Sequence, residues 1–376
     1  MRSAAKTERN KTMFKKLLCV VACCLLFGMI LTACANTNDL PEASDTTEDT
    51  GEAAPENDKT KPTEKPNTNT KPTYTPTAKE VDIYIIAGQS NGSGYTKYDA
   101  NVLKGLWDKY DVGAPSVLYT GRAEYTNNVN TANVSTGVNE VTGFVPAKAG
   151  LGRSAAHMGA EVGMAKVLSE EYYTPGSGKN AVILKYAHGG TSLLNTTGGE
   201  NAANGNWVSP SYATEKGYTY SGVTGGLYRK LLDEVKVKKA ALEDMGYKVN
   251  IKGLFWMQGE SDKGNPEEYG KAFKHFVNDI RKDLGVADLP IMIGEISETF
   301  GAADEATIAS NKTFIAKQRA LANEIKNCYA IASSKYPINR LENGVSVNDQ
   351  DKYHWTTANM FAIGELVGKC IVNNIV

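Results

Sequence analysis

With 376 residues, 41% of them hydrophobic and 22% charged, the chain can bury one sizeable core once its ends are set aside. Its 41 Lys and Arg nearly balance 42 Asp and Glu, leaving a net charge of -1. That excludes a strongly basic field for nucleic acid, and no Cys/His spacing of the zinc type occurs.

The N-terminal residues differ in character from the rest. Lys15 and Lys16 precede an apolar run, Leu17 to Ala33, broken only by Thr32 and followed by Cys34. A positive flank, an apolar run and small residues before a cut site make a secretory signal. Leu31-Thr32-Ala33-Cys34 resembles the bacterial lipoprotein lipobox, which implies a signal peptide over 1–34 with Cys34 as the lipidated mature N-terminus. The expected location is outside the cell, anchored in its membrane by that lipid. An uncleaved anchor is the alternative, since the run is close to the ~17-residue lower limit for spanning a bilayer. Met13 is an alternative start. Residues 35–78 are rich in Thr, Pro, Asn, Lys and acids and nearly empty of large apolar side chains. Such a segment buries too little surface to offset its ordering entropy, and reads as a disordered linker. As a coil it would reach roughly 35–40 Å. Cys328 and Cys370 are the cysteines left in the folded part; pairing and two separate thiols are both open.

A single folded domain is expected over 79–376. Val81 to Ala87, Ala181 to Ala187 and Ile251 to Met257 are short, apolar and closed by glycine, which reads as buried strands. Pro290 to Ile296 and Tyr329 to Ser333 are further strands. Helical patterns run over Ala155 to Glu170, Gly226 to Asp244, Pro266 to Asp283, Asn311 to Lys326 and Thr356 to Ile375. Alternating strands and helices predict an α/β fold, a parallel sheet covered on both faces. In such sheets a site lies beyond the carboxyl ends of the strands.

Four polar clusters fall at strand ends or helix starts. The first is Gly88-Gln89-Ser90-Asn91-Gly92. A serine on a Gly-flanked turn exposes its hydroxyl and its amide, as a nucleophile near an oxyanion hole does; an ordinary N-cap serine reads the same way. The second is His188-Gly189-Gly190-Thr191-Ser192, where paired glycines allow close backbone approach. The third, Trp256 to Asp262, offers the Gln258 amide as an oxyanion donor. Glu260 and Asp262 stand too close in sequence for a glycosidase pair. The fourth is Asp351-Lys352-Tyr353-His354, in which the carboxylate would orient the imidazole and the free ring nitrogen would take a proton from Ser90. Asp349 competes for the acid role. His157 and His275 sit inside helical patterns and read as structural, and His188 has no acid near it in sequence.

The order Ser90, glycine pair, Gln258, Asp351-x-x-His354 resembles the SGNH hydrolase superfamily. GQSN, GGT, WMQGESD and DKYH resemble its sialate O-acetylesterase and carbohydrate esterase family 6 (acetylxylan esterase) branch over about residues 81–372. The resemblance implies a three-layer α/β/α sandwich, with Ser90 as nucleophile, His354 as base and Asp351 as orienter. It implies an oxyanion hole at Ser90, Gly189, Gly190 and Gln258, supported by Gln89, Asn91 and Glu260, and no metal or organic cofactor. The partner implied is an acetylated carbohydrate. His188 and the Tyr/Asn/Gly-rich insertion Thr196 to Gly225 depart from the usual pattern. Trp207, Tyr212, Tyr218 and Tyr220 in that insertion fit either a sugar-stacking wall or a loop packed on itself. Esterases for other acyl groups, such as those on peptidoglycan, and a non-catalytic carbohydrate-binding protein are the alternatives.

Overall fold

The computed structural model describes residues 79–127, 135–302, 304–338, 341–342, 345–346 and 351–376. The expected signal segment, the expected lipidation site Cys34, the expected linker and Asp349 lie outside these. The strands are β1 (Lys79–Gly88), β2 (Thr96–Lys97), β3 (Val117–Asn127), β4 (Ser135–Pro146), β5 (His157–Met158), β6 (Asn180–His188), β7 (Tyr247–Met257), β8 (Ile291–Gly294), β9 (Cys328–Ile331), β10 (Leu341–Glu342) and β11 (Val345–Ser346). The helices are α1 (Ser90–Ser93), α2 (Ala100–Leu106), α3 (Glu161–Glu171), α4 (Glu200–Asn204), α5 (Pro210–Lys216), α6 (Gly226–Asp244), α7 (Pro266–Asp283), α8 (Glu305–Glu324) and α9 (Thr357–Asn374).

Seven strands form one sheet in the order β4-β3-β6-β1-β7-β8-β9. Its pairs are parallel except β3–β4, which is antiparallel. The parallel sheet expected from the sequence is present, with the antiparallel strand β4 added at its edge. β1 runs through the middle, and its alternate side chains feed two cores. Ile83, Ile85 and Ala87 pack toward α6, α7 and α8, among Leu231, Phe273, Phe276 and Phe314. Tyr84 and Ile86 pack toward α2, α3 and α9, among Leu103, Val162, Met360 and Phe361. The result is the three-layer α/β/α sandwich.

Two glycine contacts bear on the site. Gly88 ends β1 at φ 138°, and a Cβ there would lie 2.0 Å from Met257 O, so β1 and β7 can end side by side only with glycine at this position. Between α3 and α9, a Cβ on Gly364 would lie 2.2 Å from Ala160 O. That close approach seats the middle of α9, the helix that follows His354, against the start of α3. Helix α3 begins at Glu161 rather than Ala155, because Thr96 and Lys97 recruit Met158 and His157 into the β2–β5 pair. His157 is therefore not helical as expected. Cys328 is buried and Cys370 half-buried, and both thiols are free. Burial pushes them up to about 12 and about 11. No helix among the described residues is long and apolar enough to cross a membrane.

Candidate active site

Ser90 opens α1 directly beyond β1 and is 7% exposed. The turn is braced on both sides, by Gln89 N donating to Met257 O (3.0 Å) and Gly94 N to Ser90 O (3.0 Å). Three loops that leave neighbouring strands are joined behind it. Gln89 Oε1 accepts from Gln258 Nε2 and from Ser261 N, both at 3.2 Å. Gln258 Nε2 also donates to Thr191 O (3.1 Å) and Asp262 Oδ2 (2.6 Å), and Asp262 Oδ2 accepts from Leu193 N (2.7 Å).

This bonding corrects two expectations. An amide nitrogen has two protons, and those of Gln258 face three acceptors, so in this arrangement Gln258 is a strut between loops rather than an oxyanion donor. The Gly189 amide donates to Glu124 O at 3.1 Å, extending the ladder in which Glu124 pairs with His188. Neither the Ser90 nor the Gly190 amide has a carbonyl partner among the described residues.

Asn91 links the rest of the site. Its Nδ2 donates to Glu260 Oε1 (2.7 Å) and to Tyr353 O (3.2 Å), which ties the serine turn to the turn bearing His354. Thr96 Oγ1 adds a bond to Trp355 O (2.9 Å). Glu260 is buried, and burial raises its pKa, against the opposing pull of the Asn91 bond. Asp351 Oδ1 accepts the amides of Tyr353 (2.9 Å) and His354 (3.1 Å), and its Oδ2 lies 2.6 Å from His354 Nδ1. Burial pushes the Asp351 carboxyl up, but the bonds from His354 and the two amides outweigh it and hold the pKa below the usual carboxylate value. Among the described residues no hydrogen bond joins the Ser90 hydroxyl to His354. Such contacts commonly tighten only with substrate bound.

Several neighbours of the site carried no sequence signal. Tyr95 stacks on His354 with ring centroids 4.7 Å apart, and the Arg153 guanidinium lies 4.7 Å from the Tyr95 ring. Tyr95, Lys97, Arg153, His157, Asp351 and His354 line a cleft of about 480 Å³. Burial, then the charges of Arg153, Lys97 and His354, lower the His157 pKa to about 4. His188 has an acid after all. Its Nδ1 lies 3.0 Å from Glu124 Oε2, and Arg122 pairs with the same carboxylate at 3.0 Å. Glu124 sits 64 residues away in sequence, so only strand register could have revealed it. In the insertion, Trp207 and Tyr212 are buried, and Trp207 packs edge-on against Trp256 at 5.2 Å while donating to Thr191 Oγ1. Those two rings belong to the core, so the packed-loop alternative holds for them. His275 pins this insertion to α7 through Ser211 Oγ and Glu215 Oε2, both at 2.7 Å. Among the described residues no group of His, Cys, Asp and Glu is arranged to hold a metal ion.

An Arabidopsis thaliana protein structure is similar at 17% identity, TM-score 0.47, over 78% of this chain and 99% of its own. The structure of NanS is similar at 16% and 0.48, over 79% and 98%. A carbohydrate acetylesterase from Xanthomonas citri is similar at 14% and 0.46, over 78% and 56%. No curated protein is significantly similar to the chain. Residues 80–373 match the family described as carbohydrate esterase, sialic acid-specific acetylesterase, and the chain belongs to that family.

Proposed function

We propose that the chain is a serine esterase that removes acetyl groups from a carbohydrate. The observation that carries this reading is the 2.6 Å Asp351–His354 contact on a turn that Asn91 ties to the Ser90 turn. Ser90 Oγ attacks the acetyl carbonyl while the free ring nitrogen of His354 takes its proton. Asp351 holds the tautomer and stabilises the imidazolium. The amides of Ser90 and Gly190 hold the oxyanion. The sugar alcohol leaves with the proton from His354, and water, activated by the same imidazole, then releases acetate from Ser90. The family supports an acetyl ester on a sugar as substrate. The lipobox sequence supports attachment of the enzyme to the outer side of a membrane through Cys34, with residues 35–78 as a tether.

The test is hydrolysis of 4-nitrophenyl acetate by the full chain and by Ser90→Ala, with a radiolabelled fatty acid to report on Cys34. Turnover lost in the variant supports the reading. Equal turnover in both chains removes Ser90 from the mechanism. No turnover in either moves the weight to a carbohydrate-binding protein.

A further inference from the structure

Gly190 has φ +68°, and a Cβ at that position would lie 2.4 Å from Glu200 Cδ and 2.6 Å from each of its oxygens. The Glu200 carboxyl thus occupies the space a side chain would take on Gly190, the glycine whose amide the proposed function assigns to the oxyanion. It is held there by its neighbour, since Asn201 Oδ1 accepts from Ser192 N (3.0 Å) and so fastens α4 onto the loop after β6. On the other side of the glycine pair, a Cβ on Gly189 would lie 2.2 Å from the Tyr95 hydroxyl, and Tyr95 is the ring stacked on His354. The pair is therefore contacted at Gly189 by Tyr95, the ring stacked on His354, and at Gly190 by a carboxyl.

That carboxyl is not spent on the fold. Glu200 Oε2 is buried with no hydrogen-bond partner among the described residues, while the side chain as a whole is only half-buried and so keeps part of its carboxyl accessible. Burial pushes its pKa up to about 7, and no charged neighbour opposes the shift. Buried polar groups are nearly always bonded, and an unbonded one costs stability unless something else supplies its partner. A sugar ring whose acetyl group sits at Ser90 and Gly190 would bring its other hydroxyls to this side of the loop. A carboxyl can either accept from or donate to a hydroxyl, according to its charge.

We propose that Glu200 is a specificity-determining residue of this site, its carboxyl taking a hydroxyl of the acetylated sugar. The inference rests on the esterase reading and adds to it the part of the substrate that does not react. A hydroxyl bonded to a carboxyl is a contact that a simple aryl acetate cannot make, so the two kinds of ester separate this role from support of the loop.

The experiment compares full-length wild type, Glu200→Gln and Glu200→Ala on 4-nitrophenyl acetate, acetylated xylo-oligosaccharide and O-acetylated N-acetylneuraminic acid. For the better sugar ester, Glu200→Ala should lower kcat/KM at least ~10-fold, mainly through KM, with aryl acetate hydrolysis within ~2-fold of wild type. Glu200→Gln, which keeps size and a polar end, should recover much of the loss. Equal losses on both kinds of ester would show that Glu200 only supports Gly190, and no loss on either would show that it is idle; both outcomes overturn the proposal. Wild type that hydrolyses the aryl acetate but neither sugar ester also overturns it, while leaving a serine esterase in place. Wild type inert toward every ester removes the esterase reading and Glu200's role with it.

Discussion

Lys185 Nζ lies 2.7 Å from Glu161 Oε2 with both side chains fully buried, and the pair sits against the turn that carries Ser90. The other bonds of the ammonium go to Ser93 O (3.3 Å) and Leu151 O (3.2 Å), so each of its three protons has an acceptor. Ser93 ends α1, and Glu161 Oε1 accepts from Gly159 N (2.8 Å). One buried cation thus joins the serine turn, the loop before β5 and the start of α3. Lys185→Met would leave the Glu161 carboxylate buried without its cation, a change that costs about 3–5 kcal/mol. The double variant Lys185→Met with Glu161→Gln should lose less than Lys185→Met alone. Urea unfolding of the three chains checks this, and a Lys185→Met midpoint equal to wild type would refute it.

The Asp351–His354 pair gives a graded expectation. Ser90→Ala and His354→Ala should each lower aryl acetate turnover at least ~10³-fold, because each removes a group that changes bonding in the transition state. Asp351→Asn keeps the shape but favours the wrong tautomer, and should cost on the order of 10²–10⁴-fold. The loss should persist across neutral pH, since Asp351 is held ionised well below that range by His354 and two amides. Steady-state rates from pH 5 to 9 decide it; an Asp351→Asn rate near wild type would return the acid role to another residue.

The central strands and the serine turn were legible because a strand buried on both faces is written as an unbroken apolar run closed by glycine. β3 and β4 were not. β4 at the edge and β3 next to it carry polar residues in STGVNEVTGFVP and VLYTGRAEYTN, and such strands lack a period that distinguishes them from loops. The pairing of Asp351 with His354 could be read because three residues on one turn bring the two groups together. The partnership of His188 with Glu124 depends on the register of β3 on β6, and the approach of Glu200 to Gly190 on where the insertion folds back. Gln258 was read correctly as a residue at the strand end. Its three acceptors come from two other loops as well as its own, and they turned an expected donor into a strut.

Asn91 should act as a positioning residue. Asn91→Ala removes the bond to Glu260 Oε1 and the bond to Tyr353 O together. It leaves a buried carboxyl, already raised in pKa by burial, with less compensation. A loss of about 1–3 kcal/mol in stability is expected from the unmet carboxyl. If the link to the His354 turn also matters, kcat should fall ~10-fold or more while KM for aryl acetate stays near wild type. Adding Glu260→Gln to Asn91→Ala should restore part of the stability, because no charge is then buried, without restoring kcat. Recovery of both together would show that Asn91 serves only to satisfy Glu260.

Glu200 also makes a pH-dependent contribution to stability whose sign follows from burial. Its pKa is raised from 4.5 to about 7 in the folded chain, so between those values the folded state holds a proton that the unfolded state has released. Stability from this group is therefore present below about 4.5 and is lost as pH rises through about 7. Because the side chain is only partly buried, the full shift overstates the effect, and a loss on the order of 1–2 kcal/mol is the reasonable scale. Glu200→Gln does not titrate and should be more stable than wild type at pH 8, with the gap narrowing toward pH 5. Thermal unfolding of both chains at the two pH values gives the comparison directly. Parallel stabilities across that range would mean that Glu200 keeps an ordinary carboxylate pKa despite its burial.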